Sequence, residues 1–204
     1  MSVLSTLAWV LALALPMQAL GLRLFGQTKP LWHSLLLLLC LLLLQLPTNP
    51  SPAAVLGGLF GELSITSLVL LVALFLQSTW KPDLIAKNDW IKVAGLIALA
   101  GWIFYPLLLG LDIGLYLASG PVDPYAWGYA NSWPGFMLTA GVLTLATLIA
   151  WLCRHYFLAL VAFLPLLAWQ LGLLGSSNLW NYLFDPFVVL GTSLWLLAGR
   201  KTAV

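Results

Sequence analysis

Apolar runs of about twenty residues recur along the chain, separated by short connections rich in Pro, Gly, Asn or charge. Runs of that length match the hydrocarbon thickness of a bilayer. Seven of them predict transmembrane helices, at residues 3–22, 31–46, 53–77, 90–110, 136–153, 156–174 and 183–199. Pro16, Pro106 and Pro165 fall inside runs, where proline kinks a helix. The leucine tract 31–46 ends at the uncharged PTNPSP turn, and the longest connection, 111–135, carries Asp112 and Asp123 but no basic residue. The first run lacks a positively charged leader, so it reads as a retained helix rather than a cleaved signal peptide.

Composition points the same way. Of the 204 residues, 62% are hydrophobic and 7% charged, with a mean hydropathy of +1.03. A soluble domain would carry about 25% charged residues. The expected fold is therefore an all-α integral membrane protein: one domain spanning 1–204, a single bundle of about seven transmembrane helices.

Charge placement orients that bundle. With seven crossings, Arg23, Lys29, Lys81, Lys87, Lys92, Arg154, Arg200 and Lys201 all fall on one side, and Asp112, Asp123 and Asp185 on the other. The positive-inside rule then puts the N-terminus outside and the C-terminus in the cytoplasm. The expected location is a bacterial inner (plasma) membrane. Trp32, Trp80, Trp90 and Trp151 fall near inner ends and Trp127, Trp133 and Trp180 near outer ends, as an aromatic belt requires. The net charge of +2 is explained by topology, with no basic block for nucleic acid.

Candidate chemistry is sparse. The segment 57–67, GGLFGELSITS, holds Glu62, a carboxylate within an apolar run and so a functional-site candidate. In one straight helix it would lie roughly 13 Å deep, sharing a face with Gly58 and Thr66. Gly57, Gly58 and Gly61 would let a neighbouring helix approach closely. Alternatively, 53–61 forms an outer turn and Glu62 caps a shorter helix that follows. Asp185 before Pro186 fits a helix N-cap. The intramembrane polar site is thus expected from Glu62, Ser64, Thr66 and Asp185. An outer binding face is expected from Asp112, Asp123, Tyr125, Trp127, Tyr129, Trp133, Trp180 and Asn181, with aromatic rings able to stack on a sugar, a lipid head group or a protein.

No metal, cofactor or catalytic motif is expected. Cys40 and Cys153 fall in different runs and at different depths, which argues against a disulfide. Neither His33 nor His155 has a ligand-spaced partner. A retinal Schiff base is excluded because 183–199 contains no lysine. The expected function is a non-catalytic subunit or accessory partner of a cell-envelope membrane complex, contacting lipid and other membrane proteins but no nucleic acid. The alternatives are a small transporter of a cation or neutral solute using Glu62, and a membrane enzyme with Glu62 and Asp185 as an acid/base pair.

Overall fold

In the computed structural model, which describes residues 3–25, 30–79, 84–108 and 124–199, every regular element is helical. Seven long helices are α1 (Val3–Phe25), α2 (Pro30–Leu44), α4 (Ile65–Thr79), α5 (Lys87–Leu108), α6 (Gly135–Leu152), α7 (Tyr156–Gln170) and α9 (Pro186–Gly199). Two short ones, α3 (Pro52–Phe60) and α8 (Trp180–Leu183), precede α4 and α9. A single 3-10 turn covers Ala126–Gly128.

The run 53–77 is not one helix. Ser51 starts α3 by accepting the Ala54 N–H at 3.2 Å, with Pro52 in the first turn where its missing N–H costs nothing. α3 stops because Gly61 adopts φ 76°, ψ −170°, a region essentially closed to residues with a Cβ. Ser64 then restarts the chain as α4, its hydroxyl accepting the Ser67 N–H at 3.1 Å. The expected stripe of Gly58, Glu62 and Thr66 therefore does not exist, since the helix is interrupted between its first and second members. Two of the three glycines, Gly58 and Gly61, stand in open space. A methyl group at Gly58 or Gly61 would meet nothing within 4 Å, so among the described residues these two do not serve close helix packing.

The second interruption is at 184–185. Phe184 is extended (φ −131°, ψ 140°) between α8 and α9. A third sharp change of direction joins α6 to α7, where Arg154 sits at φ 62° and the His155 N–H bonds back to the Ala150 carbonyl at 2.8 Å.

α4 is the central element. It packs on α1, α7, α8 and α9, and buries Ile65, Thr66, Ser67, Leu70 and Ala73. On one side lie Ala8, Trp9, Ala14, Cys40 and Leu63; on the other Trp90, Val93, Ile97, Val161 and Val189. α6 is peripheral, packed on α7 and the 3-10 turn. Among the described residues it is the one helix long and apolar enough to cross a membrane by length and composition. Its mean hydropathy is 1.9, with only 11% of it buried. Five further apolar stretches of 10–17 residues accompany it.

Side-chain contacts define the two ends of the bundle. Gln18 near the end of α1 bonds Ser78 near the end of α4 (3.1 Å), and Gln77 accepts the Trp90 indole N–H of α5 (2.7 Å). Lys92 of α5 lies 3.3 Å from His155 at the α6–α7 corner. Lys87, Lys92, Arg154 and His155 thus gather at one end, whereas Glu62, Asp185 and the 124–134 and 171–185 connections occupy the other.

Candidate functional site

Asp185 is where the two helix interruptions meet. Its position before Pro186 makes it the cap of α9, and Oδ1 accepts the Val188 N–H at 2.9 Å. The other oxygen, Oδ2, accepts the Ser64 N–H at 2.8 Å and the Ser67 hydroxyl at 2.5 Å, both from the start of α4. The first turn of a helix carries N–H groups without intrahelical acceptors and a partial positive charge. One carboxylate here serves two such ends. The residue is 5% exposed and Ser64 0%, so water does not compete for these bonds.

Glu62 does something different. Its side chain is half-buried, and Oε2 accepts the Gly175 N–H at 2.8 Å, tying the α3–α4 break to the connection that follows α7. Of the four residues expected to form the polar site, Ser64 and Asp185 are directly bonded. Thr66 is buried one position around the helix, against a separate cavity. Ser67 belongs to the site and was missed in sequence. The spacing of Ser64 and Ser67 just ahead of an apolar run was the available signal for a cap.

Beside this junction lies a dense polar cap. Asn178, wholly buried, accepts the Trp180 N–H on Oδ1 (2.9 Å) and donates from Nδ2 to the Tyr125 carbonyl (3.0 Å). The Leu179 N–H bonds the Gly128 carbonyl (2.8 Å), and the Trp180 indole bonds the Pro124 carbonyl (2.9 Å). The Tyr182 hydroxyl, also buried, donates to Ser176 O (3.0 Å) and accepts from Leu174 N (3.1 Å). Gly128 permits this closure, because a Cβ there would collide with Asn178 Oδ1.

The expected outer face is therefore split. Trp180 faces inward at 8% exposure, and Asn181 donates to Ser176 Oγ at 2.8 Å, so both hold the cap together instead of presenting a surface. Tyr125 and Tyr129 meet edge to face at 5.8 Å. Burial, followed by the neighbouring Tyr129 hydroxyl, pushes the Tyr125 phenol up from its ordinary value. Trp127 is half-buried and Trp133 is 72% exposed. Asp112 and Asp123 lie outside the described residues.

Two apolar cavities flank α4. One, of about 280 Å³, runs between α4 and α9 from Leu63 and Ser67 to Leu74 and Trp195. Its hydroxyls are already engaged, Ser67 with Asp185 and Thr192 with the Val188 carbonyl. The other, about 470 Å³, lies among α4, α5, α6, α7 and α8 beneath Pro124 and Trp127. No group of three His, Cys, Asp or Glu side chains gathers among the described residues.

No protein-family model matches the chain, and neither a curated protein nor a solved structure is detectably similar to it.

Proposed function

We propose that the chain is a seven-span protein of a bacterial inner membrane, N-terminus outside and C-terminus in the cytoplasm, acting as a non-catalytic subunit of a larger membrane assembly. The membrane reading rests on apolar exposure. Leu35, Leu38, Leu42, Leu138, Val142, Leu145 and Leu148 are among many large apolar side chains left open, an extent that water-soluble monomers avoid. The orientation rests on the gathering of Lys87, Lys92 and Arg154 at one end.

The observation that carries the non-catalytic reading is the use made of Asp185. Both its oxygens accept bonds from donors fixed at helix starts, which is what a structural joint needs and what a shuttling acid or base does not. Transport of a cation or sugar through the bundle would need a path lined with available oxygens. The 280 Å³ cavity offers two hydroxyls, both bonded within the protein. The interrupted helices do resemble those that hold substrates in transporters, and this keeps transport as the second reading.

The test is purification of the tagged protein from its native membrane in mild detergent, with retained proteins identified and counted. A partner at fixed stoichiometry is expected. A lone protein that drives cation- or proton-coupled uptake, abolished in Glu62→Gln, would overturn the subunit reading in favour of transport.

A further inference from the structure

The larger cavity is shaped for a chain. α5 and α6 each pack on α7, and the gap left between them is the crevice of about 470 Å³. Leu138, near the start of α6, and Leu158, near the start of α7, both line it. Because α6 and α7 run antiparallel, those two positions lie toward opposite ends of a pair roughly 25 Å long. The crevice is accordingly elongated along the bundle axis. Leu96, Leu138 and Val142, which line it, are each at least half exposed, so its mouth opens sideways between α5 and α6.

Its walls narrow the choice of occupant. Apart from Thr66 and Thr139 they are hydrocarbon and aromatic, and the Trp180 indole N–H is already bonded to Pro124. Walls of this kind offer water few hydrogen-bond partners. A hydrocarbon chain lying in the crevice would gain dispersion contacts along its walls. The sequence carries no Lys, Arg or His in Val93–Cys153 or Tyr156–Gly199, so nothing on α5 beyond Lys92, or on α6–α9, would pair with a net anionic head group. The half-buried Trp127 ring, seated on Gly135 at the outer rim, is the residue type that lies at head-group depth.

We infer that this crevice holds one acyl chain of a zwitterionic phospholipid, entering from the bilayer between α5 and α6, with its head group beside Trp127. The inference rests on the membrane reading above. The test reconstitutes the full chain in nanodiscs with phosphatidylethanolamine bearing a diazirine on its acyl chain, followed by photolysis and peptide mapping. Labelling is expected to concentrate on α6 around Leu138–Leu143 and on Leu183 and Phe184, several-fold above the exposed leucines of α2. Ala162→Phe, which fills the crevice, and Val142→Trp, which blocks its mouth, should each return those peptides to the α2 level. The same probe built on phosphatidylglycerol should label the crevice several-fold less. Even labelling of α2 and α6, or crevice labelling indifferent to both substitutions, would overturn the inference while leaving the membrane reading intact. Equal labelling by both lipids would overturn the head-group assignment. No labelling of any helix would remove both the inference and the membrane reading on which it stands.

Discussion

Replacing Asp185 by alanine removes the joint between α4 and α9, and its cost can be worked bond by bond. Loss of the α9 cap, through Val188 N–H, costs about 1 kcal/mol. The Ser64 N–H is left in a site closed to water without an acceptor, at about 1–3 kcal/mol. Ser67 contributes less than about 1 kcal/mol, because its hydroxyl can turn to a carbonyl one turn back, as Thr192 does with Val188. The expected loss is therefore about 2–5 kcal/mol, a large part of the net stability of a typical domain. Asp185→Asn keeps one oxygen and turns an amide N–H toward the remaining donors, so it should fall between parent and alanine. Reversible unfolding in mixed micelles measures the effect. A Ser67→Ala, Asp185→Ala double-mutant cycle then isolates the side-chain bond. If Asp185→Ala stayed within about 0.5 kcal/mol of the parent, the range of an ordinary surface change, the three-donor geometry would not describe the folded protein.

Further outcomes follow from single positions. Gly61→Ala should cost about 1–3 kcal/mol, since φ 76°, ψ −170° excludes a Cβ; the same unfolding assay reads it, and Gly58→Ala, in open space, should be neutral or stabilising. Gly128→Ala should cost about 1–3 kcal/mol by pushing Asn178 and Trp180 out of the cap, seen as faster proteolysis between α7 and α9. Cys153 is exposed at the basic end and Cys40 is buried, so an impermeant maleimide should label Cys153 in inside-out vesicles but not in intact cells, and Cys40 in neither; labelling of Cys153 from outside would reverse the orientation. Because the Tyr125 phenol is raised in the folded state, its contribution is full below the ordinary value of 10.0 and fades as pH rises beyond it. Cap stability should accordingly fall in strong alkali, and less so in Tyr125→Phe.

Helix positions were legible because long apolar runs and their prolines leave few alternatives. The expected 156–174 overlaps Tyr156–Gln170, and 136–153 overlaps Gly135–Leu152, to within a few residues. The run 53–77 was ambiguous for a physical reason. Glycines at 57, 58 and 61 serve equally as a packing stripe and as a helix stop, and only the conformation of Gly61 decides between them. The Asp-Pro pair announced a cap at 185. Its bond to Ser64 was not readable, because the two lie 121 residues apart and no local pattern links them. Trp180 likewise looked like an interfacial ring, and it is buried because the Pro124 carbonyl, 56 residues earlier, takes its N–H.

The long reach of Asp185 also sets an order on biogenesis. α4 is synthesised well before residue 185, so until then the Ser64 N–H and the Ser67 hydroxyl lack the acceptor they share in the folded protein. The start of the central helix is completed only by the cap residue of α9. Without α9, the other six long helices among the described residues would be left with an open polar notch at the start of α4.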